Sequence, residues 1–219
     1  HSKVGVTMKK YFYFFVKRIF DILCCIIALP FFFIIALAVG LAIKIEDHGP
    51  VFYRAERIGK HSRKFSMLKF RSMKVNADNI LNPDGSTYNA KDDDRITKVG
   101  KFIRETSLDE TPQIWNVLKG DMSIIGPRAS GWEALPTYRS DEVDKMNVRP
   151  GITGYTQAYY RNGISLREKR LKDAWYANHA GLLLDIKIFF KSIVTVLKRE
   201  GIYTNMPASK IEEKVEVIK

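Results

Sequence analysis

The sequence predicts a helix-dominated α+β fold, an irregular single domain fastened to one face of a membrane. Three observations predict it. The 219 residues, 46% of them hydrophobic, suffice for one domain with a buried core. Residues 22–43 carry no charge, 22 positions in a row, which reaches the ~20 that a helix needs to cross a bilayer. The rest of the chain alternates short apolar runs with longer segments of helical period, without internal repeats or low-complexity tracts.

Residues 1–7 precede Met8 and read as a tag remnant outside the fold argument. Residues 8–48 form the membrane helix and its flanks. A cleaved signal peptide does not fit, because the apolar run is too long and Gly40-Leu-Ala42 passes into Ile43-Lys-Ile-Glu46 without a cleavage site. Lys9, Lys10, Lys17 and Arg18 lie before the run, and Lys44, Arg54, Arg57, Lys60, Arg63 and Lys64 after it. Both flanks are basic, so both read as cytoplasmic. Pro30 lacks a backbone N–H and crowds the preceding turn, which predicts a kink or a break there. The residues alone leave two arrangements open: one kinked spanning helix, or a re-entrant helix that returns to the face it entered.

The soluble domain occupies residues 49–181. Apolar runs at 51–53 and 65–70 flank the loop Gly59-Lys-His-Ser62 and predict a hairpin. Residues 76–95, with Pro83-Asp-Gly85 and three aspartates at 92–94, read as an exposed loop. Helices are expected over 99–105, 111–119, 142–148 and 166–177, with stops at Gly120 and at Pro150-Gly151. In the segment 182–202, at 100° per residue, Leu182, Ile186, Phe189, Ile193, Val196 and Leu197 fall on one arc and Lys187, Lys191 and Lys198 oppose it. Such a helix either lies in a membrane interface or packs its apolar face on the core. Residues 203–219 form a C-terminal tail.

Lys plus Arg number 36 against 24 Asp plus Glu, and the net charge of +12 points to an anionic partner. Nucleic acid, an acidic membrane surface and a phosphorylated small molecule all qualify. No aromatic-basic nucleic-acid motif is present, so no nucleic-acid partner is expected. The only cysteines, adjacent Cys24 and Cys25, lie inside the apolar run, which excludes a disulfide framework and a Cys-rich zinc site and implies a reducing compartment.

The common phosphate-binding glycine loops are absent, as are a metal-spaced His pair and a G-x-S-x-G elbow. What remains is the dense block 104–128, where Asp109 and Glu110 adjoin. A carboxylate can attack phosphorus and form an acyl phosphate. A plainer reading makes Ser107-Leu-Asp-Glu110 a capping box, with Glu110 at N3 and Asp109 a first-turn acid. Thr111 as N-cap with Pro112 at N1 is an equally good helix start. Either start would offer N–H groups and partial positive charge to a phosphate. Lys69, Arg104, Arg128 and Arg149 would then neutralise a diphosphate. Two acids beside such cations call for a divalent ion, and Mg²⁺ is usual with phosphate substrates. A competing reading takes Asp92-Asp-Asp94 as the D-x-D metal site of a glycosyltransferase that releases UDP.

The ordered set Lys17-Arg-Ile-Phe-Asp21, Gly49-Pro-Val-Phe-Tyr-Arg54, Arg57-Ile-Gly59, Lys69-Phe-Arg-Ser-Met73, 92–100, Ser107-Leu-Asp-Glu110, Pro112-Gln113, 116–128, Arg149-Pro-Gly-Ile-Thr-Gly154 and Lys198-Arg-Glu-Gly201 resembles one bacterial family. It is similar to the monotopic polyprenol-phosphate phosphoglycosyltransferases, over residues 17–202, in what looks like their minimal catalytic form. The resemblance implies an enzyme at the cytoplasmic face of the bacterial inner membrane, acting early in glycoconjugate synthesis. It would move a sugar 1-phosphate from a UDP-sugar to polyprenyl (undecaprenyl) phosphate, through a covalent aspartyl phosphosugar, and release UMP. By motif position Asp109 would be the nucleophile and a Mg²⁺ contact, and Glu110 its catalytic partner. Lys69, Arg104 and Arg128 would hold phosphate or nucleotide, with Arg149, Gln157 and Arg161 as further substrate contacts. The family's proline-broken re-entrant helix matches Pro30 and favours the re-entrant arrangement. UDP-sugar, polyprenyl phosphate and membrane lipid are the expected partners, and a homodimer is allowed. Leu29 stands where the family often has Ser, Asp94 and Ala129 where it has Pro, and Tyr159-Tyr-Arg-Asn162 where Gly-Arg-Asn is frequent.

Overall fold

The computed structural model describes residues 2–78, 80, 82, 88, 90 and 92–198, without the side chains of 2–7. The loop motif Pro83-Asp-Gly85, residues 199–202 and the tail 203–219 lie outside the described residues.

Helix α1 (Ser2–Asp47) runs through Pro30 without interruption. The break expected there is therefore not an end of the helix; a proline inside a helix removes one hydrogen bond and crowds one turn, which neighbouring packing can absorb. One stripe of α1 is covered by the rest of the chain: Cys25, Phe32, Val39 and Ile43 are buried and Leu29 and Ala36 pack beside them. These positions recur every three or four residues, one face of a helix. Around the remaining circumference Ile27, Phe31, Ile34, Leu37 and Leu41 stand exposed.

Both ends of the apolar run are fastened to the same domain. Before it, Arg18 donates to the Val117 and Leu118 carbonyls at 2.6 and 3.0 Å. Buried Asp21 accepts from Ser123 Oγ at 2.7 Å and from the Ile124 N–H at 3.1 Å. Beyond the run, the Glu46 carboxylate accepts the N–H groups of Lys98 and Val99 at 2.6 and 2.9 Å, and Asp47 pairs with buried Arg71.

Strands β1 (Phe52–Ile58) and β2 (Lys64–Phe70) form the expected hairpin, with β1 running on well past its apolar start, to Ile58. Helix α2 (Lys98–Glu105) is capped by Thr97, whose Oγ1 accepts from the Gly100 N–H. It crosses so close to the hairpin exit that a Cβ on Gly100 would lie 1.9 Å from the Ser72 carbonyl oxygen. The single helix expected over 111–119 comes in two parts, a 3₁₀ segment Leu108–Gln113 and then α3 (Ile114–Lys119). Pro112 has no N–H to give, and the Thr111 hydroxyl satisfies the Leu108 carbonyl instead. Gly120, at φ 94°, ends α3 in the left-handed conformation that glycine adopts without strain.

Strands β3 (Ser123–Ile125) and β4 (Gly151–Thr153) pair in parallel, a contact between three-residue runs that no periodicity signals. The helix expected at 142–148 is a 3₁₀ turn, Val143–Asn147. After α4 (Tyr155–Tyr159), α5 (Leu166–His179) starts with a complete capping box between Ser165 and Glu168. In α6 (Leu182–Lys198) the face packed on the domain is Asp185, Ile188 and Ser192. The apolar arc Leu182, Ile186, Phe189, Ile193, Val196 and Leu197 is exposed, so it is not the core-facing side. Asp185 ties α6 back to α1 and α5 by accepting from Tyr13 and Tyr176 at 2.6 Å each and pairing with Lys17.

Candidate active site

The site is built where β2 meets the 3₁₀ segment. Asn116, buried on α3, acts on β2 like a neighbouring strand: Oδ1 accepts the Leu68 N–H at 2.9 Å and Nδ2 donates to the Ser66 carbonyl at 2.7 Å. The next residue, Lys69, is thereby aimed at the two acids. Its Nζ lies 2.7 Å from Glu110 Oε1 and 3.8 Å from Asp109 Oδ2. Arg128 reaches the same Glu110 oxygen at 3.5 Å with both terminal nitrogens. Arg104, on the last turn of α2, donates to Ser72 Oγ at 2.8 Å and contributes positive charge near Asp109.

Neither capping reading of the acids holds. Ser107 takes left-handed dihedrals, φ 59° and ψ 17°, and its side chain caps nothing. Glu110, instead of reaching back to the Ser107 N–H, spends its carboxylate on Lys69 and Arg128. Thr111 uses its hydroxyl on Leu108.

The two neighbours are electrostatically unequal. Burial alone would raise the Glu110 carboxyl, but the charges of Lys69 and Arg128 and their hydrogen bonds outweigh it and hold the group at about 2. Burial raises Asp109; Lys69 opposes that shift, and the adjacent Glu110 charge adds to it. Glu110 is thus the fixed anion of the pair and Asp109 the less neutralised acid. A Mg²⁺ ion typically takes one or two protein carboxylates and fills its shell with water and substrate phosphate. The donor set fits that pattern: among the described residues Asp109 has one ion pair, the 3.8 Å contact with Lys69, and no cluster of three or more His, Cys, Asp or Glu that would make a protein cage.

The other expected contacts have partners of their own in the fold. Arg149 donates through Nε to the Gly120 carbonyl at 2.8 Å, so it and Arg18 together cap the C-terminus of α3. Its side chain lines a cavity with Lys17, Arg18 and Lys60, where burial and then the Arg18 charge lower its guanidinium pKa. Gln157, on α4, donates to the Ile152 carbonyl at 2.9 Å. Arg161 follows α4 at a positive φ of 44°. In the D-x-D alternative the central Asp93 is buried and tied to Arg95 at 2.6 Å, and Asp92 and Asp94 are exposed.

The sequence reading missed Arg57. It ended β1 at residue 53, whereas strand alternation carried on to 57 would have set Tyr53, Ala55 and Arg57 on one face, opposite Lys69, Met67 and Phe65.

Lys69, Arg104 and Arg128 thus gather near two adjacent acids, in a chain whose long N-terminal helix keeps an exposed apolar surface. The chain belongs to the bacterial sugar transferase family, whose model matches residues 12–199. It is similar to an undecaprenyl-phosphate galactose phosphotransferase of Salmonella typhimurium, 41% identical over 203 residues that make up 86% of this chain and 42% of that protein. It is likewise similar to a UDP-N-acetylgalactosamine-undecaprenyl-phosphate N-acetylgalactosaminephosphotransferase of Aeromonas hydrophila, 38% over 210 residues, 91% of this chain and 48% of that protein. The exopolysaccharide production protein ExoY of Rhizobium meliloti is 37% identical over 198 residues, 85% of this chain and 88% of that protein. The chain therefore spans less than half the length of the first two relatives and most of the third.

Proposed function

We propose that the protein transfers a sugar 1-phosphate from a UDP-sugar to undecaprenyl phosphate at the cytoplasmic face of the inner membrane. The observation that carries this reading is the Lys69–Glu110–Arg128 cluster with Asp109 beside it, in a chain of the bacterial sugar transferase family.

In the first step an Asp109 carboxylate oxygen attacks the sugar-bearing phosphorus, and the bond from that phosphorus to the oxygen shared with the nucleotide phosphate breaks. UMP leaves with the electron pair, and Asp109 carries the phosphosugar as an acyl phosphate. In the second step a phosphate oxygen of undecaprenyl phosphate attacks the same phosphorus, and the Asp109 carboxylate departs. Lys69, Arg104 and Arg128 supply charge that matches the diphosphate. Glu110 stays ionised and holds Lys69 and Arg128 in position. Mg²⁺, held by Asp109 and the substrate phosphates, would neutralise phosphate charge when bound.

A re-entrant arrangement of α1 suits this chemistry, since the donor is water-soluble and the acceptor is anchored in lipid. What supports it is that Arg18 and Asp21 before the apolar run, and Glu46 and Asp47 after it, all bind the same domain. The exposed apolar sides of α1 and α6 then meet lipid. Membrane-reconstituted protein given a panel of UDP-sugars and undecaprenyl phosphate should release UMP with one sugar preferred. Release of UDP in place of UMP would move the chemistry to a direct glycosyl transfer.

A further inference from the structure

Arg57 is the one feature near the acids that the proposed reaction has not used. Its Nε is shut off from solvent and has no hydrogen-bond partner among the described residues. A donor shut off from water without a partner is costly, and native proteins keep such atoms paired unless something else binds there. Its position is fixed from two sides. In the hairpin it shares a face with Lys69. On the other edge of β1 its backbone bridges Gly131, and the following Ile58 N–H donates to the Ser130 carbonyl at 3.0 Å. That second contact sets it beside the segment that carries Arg128, itself bridged to Gly151 at the end of β4. Burial first, and then the Arg128 charge, lower the Arg57 guanidinium, with Glu133, Tyr53 and Glu110 pulling the other way. The strand that carries Arg57 is thus held beside the segment that carries Arg128, whose partner Glu110 is also engaged by Lys69.

We infer that Arg57 and Arg128 form a two-arginine receptor for an anionic diphosphate, with Arg57 a substrate-binding residue for the nucleotide donor. The inference rests on the donor assigned above. Like charges set together in a folded protein weaken it, so a ligand-binding Arg57 differs in a measurable way from a structural one: its removal weakens the ligand and does not weaken the fold.

The test measures UDP affinity and melting temperature of reconstituted full-length protein as wild type, Arg57→Gln and Arg57→Met, the last keeping an apolar stem for packing. Loss of charge-assisted hydrogen bonds predicts about 10- to 100-fold weaker UDP binding in both variants. The melting temperature should equal or exceed that of wild type. Binding within two-fold of wild type overturns the inference (a margin of about 0.4 kcal/mol). So does a fall in melting temperature of more than about 5 °C in both variants, which would make Arg57 a structural residue. Wild-type protein that turns over in the full assay yet does not bind UDP would strike at the donor assignment itself, and the receptor would fall with it.

Discussion

Replacing Glu110 by Gln tests the division of labour between the two acids. Glu110 Oε1 takes Lys69 at 2.7 Å and both terminal nitrogens of Arg128 at 3.5 Å. A charge-assisted hydrogen bond of the first kind contributes about 1.5–3 kcal/mol net. The Arg128 contact is longer and its side chain is 53% exposed, so it adds about 0–1 kcal/mol. Freed of Glu110, Lys69 has Asp109 as its nearest anion, already at 3.8 Å, and a tighter pair there would tie up the nucleophile. Together these effects amount to about 2–4 kcal/mol of transition-state stabilisation, or a turnover loss of about 30- to 1,000-fold. UMP release under saturating substrates measures it, with the melting temperature as a folding control. Because Lys69 and Glu110 act as a unit, Lys69→Gln added to Glu110→Gln should cost much less than it does alone. A single-variant loss under about three-fold, or a fully additive double variant, would refute the view that Glu110 works by holding Lys69.

Three further outcomes are expected. Wild-type protein given UDP-sugar without lipid acceptor should exchange labelled UMP into UDP-sugar and gain the mass of a phosphosugar, and Asp109→Asn should abolish both signals; active wild-type protein lacking both would return Asp109 to metal binding alone. Single cysteines at Lys9→Cys and Arg63→Cys, with Cys24 and Cys25 replaced by Ala, should be equally protected from impermeant thiol reagents in intact cells, and unequal labelling would establish a spanning α1. Arg71 holds the Asp47 carboxyl down at about 2, below its ordinary value of about 3.9, so this pair stabilises the fold above about pH 4 and its contribution is lost as pH falls through about 2. Asp47→Asn should accordingly cost about 1 kcal/mol near neutral pH, since solvent screens a partly exposed carboxylate, and flatten the acid limb of a denaturation profile, while an unchanged limb would show that other carboxylates dominate it.

Elements governed by local pattern were legible in the sequence. The uncharged run, the amphipathic segment at 182 and the helices α2 and α5 each follow from spacing and stop signals, and the adjacent acids stood out by their neighbours. What could not be read depends on partners distant in sequence. Ser107-Leu-Asp-Glu110 has the letters of a capping box, but Lys69, forty-one residues before Glu110, competes for the glutamate and wins. Ser165-Leu-Arg-Glu168 has the same spacing and forms the box, and among the described residues no ion pair draws Glu168 away. Arg149 looks like a phosphate ligand beside a glycine turn, yet its Nε finds the end of α3, twenty-nine residues back. Arg57 meets the segment that carries Arg128 only through the bridge to Gly131, a contact no local pattern signals.

The grip of Glu46 on the first N–H groups of α2 couples the apolar helix α1 to α2. Helix α2 begins at that carboxylate and carries Arg104 on its last turn, so with α1 resting in lipid as proposed, a vertical shift of α1 would be passed along the helix to that cation. Glycine at position 100 leaves no slack in that linkage, because the helix already touches the Ser72 backbone. Acyl-chain length in the surrounding bilayer, which sets how deep α1 rests, should therefore tune turnover through the height of Arg104, with an optimum thickness and a falling rate on either side of it.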